Sequence, residues 1–192
     1  MNVTPETIIS IIIGIGLAAS VGFRIFVPLF ALSLASFYGV IPLNETWEWV
    51  GSSTSILILG IATVVEILAY FIPWLDNLLD TIAVPLAAVA GTAVMVATVS
   101  NLDPTITWAL AIIAGGGTAT AIKGSTSTTR LASTATTAGV ANPVISTVET
   151  GTSIVMAVFA IFLPIVAIVL VVIILWLLFK VFKLFKPSKS IK

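Results

Sequence analysis

From Ile8 to Phe37 the chain carries one charged side chain, Arg24, and this run most constrains what it can fold into. A helix crossing a bilayer takes about 20 predominantly apolar residues. The run is therefore too long for one straight span and too short for two. Gly14, Gly16, Gly22, Arg24 and Pro28 interrupt it. It reads as a spanning helix over roughly 5–21 followed by a shorter helix over roughly 23–38.

Charge is scarce throughout. Asp, Glu, Lys and Arg make up 8% of the 192 residues, against about 25% in an ordinary soluble domain. So few polar groups cannot cover the apolar surface of a soluble protein of this size, so lipid must be the solvent for much of it. The length suits one membrane domain, residues 1–186, with a basic tail over 187–192. The absence of Cys and His excludes disulfides, thiolate metal sites, cysteine nucleophiles and histidine acid–base chemistry. No metal or cofactor is expected. The start of the chain has no Lys or Arg ahead of its apolar stretch and does not read as a signal peptide.

Further along, residues 42–55 form a polar stretch in which Trp47 and Trp49 alternate with Glu45 and Glu48, the composition of a loop at the membrane surface. A helix over roughly 56–72 ends at Pro73, and the next, roughly 75–99, opens with Asp76 and Asp80. After the turn at 100–104, Asp103-Pro104 starts a helix to roughly 122. The stretch 115–142 is almost entirely Gly, Ala, Ser and Thr with two cations, and its second part, roughly 125–141, reads as a separate short helix. Pro143 and Pro164 mark two further breaks, around helices of roughly 144–162 and 165–185. The expected fold is all-α: a polytopic membrane protein of about six spanning helices plus two short re-entrant or broken ones, at 23–38 and 125–141.

Residues 5–99 and 104–186 share an order of features. An arginine follows small residues (Arg24, Arg130), a glutamate follows on the next helix (Glu66, Glu149), and a proline then breaks that helix (Pro73, Pro164). The spacings differ, so the match is of order and not of register; both a repeat and coincidence remain open. Five of the eight basic residues lie at or after Lys180, which places the C-terminus in the cytoplasm of a multi-pass protein of the cell (inner) membrane. The 42–55 and 100–104 segments carry acids and no Lys or Arg, which places them outside. Counting crossings then puts the N-terminus inside and gives the halves opposite orientations, the inverted-repeat plan of many transporters.

Charges inside a membrane are costly and are either paired or functional. The pathway candidates are Arg24, Glu66, Asp76, Asp80, Lys123, Arg130 and Glu149, with Ser125, Ser127 and Thr128 from the hydroxyl-rich segment. Arg24–Glu66 and Arg130–Glu149 are the expected ion pairs. They either tie helices together or line a route for an ion. Asp76 and Asp80, four apart, either share a cation or a proton or sit at a helix N-terminus where the dipole favours acids. The Gly/Ser/Thr segment either packs helices tightly or lines a polar cavity. No nucleophile–base motif is present and no enzyme is expected. Two functions remain: a small transporter or channel for an ion or small polar solute, or a structural, lipid-organising or assembly-accessory protein. The expected partners are the lipid bilayer and such a solute, with a homo-oligomer compatible and no nucleic acid.

The stretch Gly22-Phe23-Arg24-Ile25-Phe26-Val27-Pro28-Leu29-Phe30, with the Glu66, Pro73, Asp76, Asp80 region and the Gly/Ser/Thr segment, resembles an uncharacterised bacterial integral membrane family of unknown function. The resemblance implies an integral membrane protein and no assigned activity.

Overall fold

The computed structural model describes residues 4–185, so the tail expected over 187–192 lies outside the described residues. Every regular element among them is helical: α1 (Pro5–Phe23), α2 (Phe26–Phe37), α3 (Ser53–Ala69), α4 (Pro73–Thr98), α5 (Pro104–Leu110), α6 (Gly117–Thr137), α7 (Asn142–Phe162) and α8 (Pro164–Phe185). A 3-10 helix covers Glu45–Gly51, and a π-helical stretch, Ala111–Gly116, joins α5 to α6. Among the described residues four helices are long and apolar enough to cross a membrane: α1, α4, the continuous rod Pro104–Thr137, and α7. The 3-10 helix and α3, bent by 65°, make a fifth if taken as one span.

α1 is the central rod and packs against α4, α6, α7 and α8. Small residues make that closeness feasible, as expected where helices meet in lipid. A Cβ on Gly16 would lie 2.8 Å from Ala160 Cβ, and one on Gly91 2.6 Å from Ala119 Cβ and 2.8 Å from the Gly115 carbonyl oxygen. Gly91→Ala is therefore expected to cost about 1–3 kcal/mol by overpacking the α4–α6 contact. Gly124 has open space around its Cβ position. Gly124→Ala should be neutral, or stabilising by up to about 1 kcal/mol through helix propensity. Thermal unfolding in detergent, followed by tryptophan fluorescence, separates the two; equal shifts would refute close packing at Gly91.

The rods alternate in direction. Ser10 Oγ accepts from the Ser100 backbone N–H at 3.2 Å, so α1 starts where α4 ends and α5 begins. α2 returns to that same end, where Ile41 and Pro42 line one cavity with Glu6, Ser10, Thr98 and Pro164. α8 leaves from there parallel to α1, with Gly16 beside Ala167, and Ala19 and Phe23 in one cluster with Val171, Ile174 and Leu178. One end of the bundle thus carries Glu6, Glu45, Glu48 and Asp103, and the other carries Lys180 and Lys183.

Three expectations change. First, no break separates 104–122 from 125–141. The chain is one helix of 34 residues, Pro104–Thr137, relieved by the π-helical stretch. At 1.5 Å per residue it is about 50 Å long, more than a hydrocarbon core of about 30 Å. Its polar composition reflects this, because the face from Leu131 onward is largely exposed. Second, α1 begins and α8 ends at opposite ends of the bundle, whereas charge counting put both inside. The short α2 is the cause, since it carries the chain back before the acidic loop. Third, α1 and α5 start at the same end, while an inverted repeat would start them at opposite ends.

Helix capping also differs between the two ends. At the acidic end, local side chains cap the starts: Thr4 for α1, Asn44 for the 3-10 helix, Ser52 for α3 and Asp103 for α5. At the lysine end, α2, α4 and α7 start with no local side-chain cap. At least for α2, the substitute comes from a distant helix.

Candidate functional site

The chain breaks at Arg24, whose backbone is extended between α1 and α2. A break inside the apolar layer exposes the last carbonyls of one helix and the first N–H groups of the next, with no water to satisfy them. Two charged side chains do so instead. The Glu66 carboxylate of α3 accepts from the Ile25 N–H at 2.8 Å and the Phe26 N–H at 2.9 Å, capping α2. Lys123 of α6 donates to the Phe23 carbonyl at 3.3 Å, at the end of α1. An acid at the start of a helix and a cation at the end of another match both dipoles. The expected Arg24–Glu66 ion pair is therefore not formed, because Glu66 gives both oxygens to backbone.

Arg24 reaches across to α7. Its Nε donates to Thr150 Oγ1 at 2.9 Å, its Nη2 to the Ser146 carbonyl at 2.9 Å and to Ser146 Oγ, and Nη2 lies 3.6 Å from Glu149 Oε2. Below it, the Ser20 and Ser153 hydroxyls bond each other at 2.9 Å and tie α1 to α7. Arg130 of α6 forms the expected pair with Glu149: Nε donates to both carboxylate oxygens at 3.1 Å and Nη2 to Oε2 at 2.5 Å. Its Nη1 takes a second acid, Asp76 of α4, at 2.5 Å. The other Asp76 oxygen accepts from Asn142 Nδ2 at 3.0 Å. Among the described residues, Arg24, Lys123 and Arg130 are the three largest side chains to be fully buried. They surround the ring of Tyr70, at 3.9 Å from Arg24 Cζ, 4.5 Å from Arg130 Cζ and 5.3 Å from Lys123 Nζ, so cation–π attraction adds to the ion pairs.

Seven of the ten sequence candidates meet in this cluster, Asp80 through its charge alone. Among the described residues Asp80 makes no hydrogen bond or salt bridge, although it is half-buried and its Oδ1 is enclosed. The hydroxyl candidates stand apart. Ser125 donates to the Ala121 carbonyl at 2.8 Å and Thr128 to the Gly124 carbonyl at 2.7 Å, each back-bonding to its own helix four residues earlier. That satisfies a hydroxyl without water and lets a Ser/Thr-rich helix be buried on one side. Ser127 is buried with no partner for its Oγ.

Sequence reading passed over Tyr70, Asn142, Ser146 and Thr150. Two signals could have found them. Tyr70 lies four residues after Glu66, hence on its helical face. Asn142, Ser146, Glu149 and Ser153, spaced four, three and four apart, form a polar stripe along an otherwise apolar helix.

A cavity of about 260 Å³ opens onto the cluster at the lysine end, lined by Tyr70, Phe71, Asp76, Thr134, Val140 and Asn142 among others. A second, of about 320 Å³, lies at the acidic end around Glu6, Ser10, Thr98 and Ser100. Between them Leu17, Ala18, Val21, Val94 and Met95 are buried. Among the described residues no group of three or more His, Cys, Asp or Glu side chains could hold a metal ion.

Residues 11–184 match the family described as Domain of unknown function (DUF4126). The chain belongs to that family. The DUF4126 match takes in every member of the charge cluster and all of α2 to α7. The family description assigns no activity, so the chemistry rests on the geometry above. No curated protein and no solved structure matches the chain.

Proposed function

We propose that this is a small membrane carrier for an ion or a small polar solute, with the Arg24–Lys123–Arg130–Glu149–Asp76 cluster as its site. One observation carries the reading. A fully buried set of charges lies at a helix break and opens toward one end through a cavity, while a packed plug closes it from a cavity at the other. Intramembrane charges at broken helices are the usual form of a transport site. The plug favours a carrier over an open channel. Unpartnered buried atoms, Arg24 Nη1 and Asn142 Oδ1, leave the site with donor and acceptor capacity to spare.

On this reading the lysine end faces the cytoplasm of the cell membrane and the acidic end faces out, following the positive-inside rule. α1, α3, α4, α5 with α6, α7 and α8 then make six crossings, and the short α2 completes one return. The structural alternative has its own support, since Arg130 and Glu149 satisfy each other almost completely.

The chain has no cysteine, so single cysteines report on access directly. We expect Thr134→Cys to react with a membrane-impermeant thiol reagent from the lysine side only, and Leu17→Cys from neither side. A solute that the protein carries should shield Thr134→Cys, and its entry into proteoliposomes should be lost in Arg24→Gln. If Thr134→Cys stays unlabelled from both sides, or no ion or solute in a broad panel enters faster than into empty liposomes, the structural reading replaces this one.

A further inference from the structure

We propose that Asp80 is a proton-binding site: its carboxyl holds the one proton that brings the buried cluster to neutrality. The argument starts from a charge count. The cluster contains three cations, Arg24, Lys123 and Arg130, and four carboxyl groups, Glu66, Asp76, Asp80 and Glu149. Fully ionised, it carries three minus four, one net negative charge. An uncompensated charge in a low-dielectric interior costs several kcal/mol, and a side chain that can bind a proton sheds that cost by doing so.

The contacts decide which carboxyl it is. Glu66 receives two backbone N–H donors at the start of α2. Asp76 receives Arg130 and Asn142. Glu149 receives the Arg130 fork and, more distantly, Arg24. Asp80 receives none of these, and its Oδ1 is enclosed without a partner. Arg130 and Lys123 act on it from α6, Asp76 from the preceding turn of α4, Glu149 from α7 and Tyr70 from the end of α3. A bare carboxylate here would have attraction only at a distance and two acids as neighbours. A carboxylic acid instead has a hydroxyl to donate.

The proton comes from water and returns to it, with no other reactant. Asp76 lines the lysine-end cavity, and Asp80 lies one helical turn further along α4, which gives the proton a short way in. The site stands whether or not a solute is carried. On the carrier reading it is the group through which a proton gradient would act.

Infrared difference spectroscopy of the purified protein in lipid vesicles tests this without any knowledge of a solute. The expected result is a protonated-carboxyl band at mildly acidic pH that disappears on alkaline titration. Isotope-labelled aspartate should shift the band, and isotope-labelled glutamate should not. Asp80→Asn should lose it, and Asp76→Asn, which also leaves three cations facing three carboxyl groups, should weaken it. The isotope arm uses the unmodified chain, so the test survives if a variant does not fold. A missing band, a shift with labelled glutamate, or a band that persists in Asp80→Asn overturns the proposal. So does a thermal stabilisation by sodium chloride over an equal concentration of choline chloride that Asp80→Asn abolishes, since the balancing charge would then be a metal cation. None of these outcomes depends on flux, so a failed carrier reading and a failed proton site are told apart.

Discussion

Arg130→Met is expected to destabilise the protein by about 3–5 kcal/mol, the cost of removing one partner from a buried ion pair. Arg130 joins two acids from two helices, so its loss strands Glu149 and Asp76 together in the interior. Glu149 then keeps only Arg24, at 3.6 Å, and Asp76 keeps only the Asn142 amide. Methionine fills much of the volume, so the effect reads charge rather than a cavity. Arg130→Lys should fall between the two, because an ammonium cannot present the planar fork that reaches both carboxylates. The decisive arm is rescue. In Arg130→Met/Asp76→Asn/Glu149→Gln the stranded charges are gone, and most of the loss should return, a coupling expected of residues in one network. The measurement is reversible unfolding in detergent by tryptophan fluorescence. A loss below about 1 kcal/mol, the worth of an exposed pair, would mean that water already screens the cluster.

The sequence showed the class of the protein because solvent leaves the largest mark on composition. A chain with one charge between Ile8 and Phe37 has few places to be. The breaks at Pro73, Pro143 and Pro164 were also legible, since proline acts locally through its missing N–H. So was the list of buried charges. Their pairing was legible for Arg130 and Glu149 and not for Arg24 and Glu66. Arg24 and Glu66 looked like a couple because each was alone on its helix. Yet the break between α1 and α2 leaves backbone N–H groups bare, and these outcompete a side chain for Glu66. That competition depends on where α3 lands against α2, which no local pattern encodes. The 104–137 helix was misread for a related reason. Glycine and threonine signal a break by propensity, but packing of Gly115 and Ala119 against Gly91 holds the helix straight through. The polar stripe on α7 was legible in its spacing and was passed over in favour of single charged residues.

The two ends of the bundle show the same rule in opposite settings. At the acidic end Thr4, Asn44, Ser52 and Asp103 cap their helices from within a few residues, and local sequence announces each one. At the lysine end the α1–α2 break is capped from other helices, with Glu66 and Lys123 in the role. Distant caps couple the helices that they join. Losing one such contact is therefore expected to destabilise the packing of two rods at once.

Glu66→Leu tests that coupling, and its expected effect is as large as that of Arg130. Each bond from a backbone N–H to a charged acceptor is worth about 1.5–3 kcal/mol, so losing two predicts about 3–6 kcal/mol. Glu66→Gln keeps one carbonyl acceptor and should lose roughly half as much. The graded order, wild type above Gln above Leu, separates capping from simple packing, because leucine would be the better filler in an apolar slot. A Leu variant as stable as wild type would show that the Ile25 and Phe26 N–H groups find water, and the break would then be wet. Glu66→Gln carries a second consequence through charge balance. It leaves three cations facing three carboxyl groups, so the cluster is neutral with Asp80 ionised. The infrared band assigned to Asp80 should then weaken or vanish, although Glu66 lies on a different helix and gives both its oxygens to the α2 backbone. A band unchanged in Glu66→Gln would separate the two groups electrostatically and confine the proton to the immediate neighbours of Asp80 on α4 and α6.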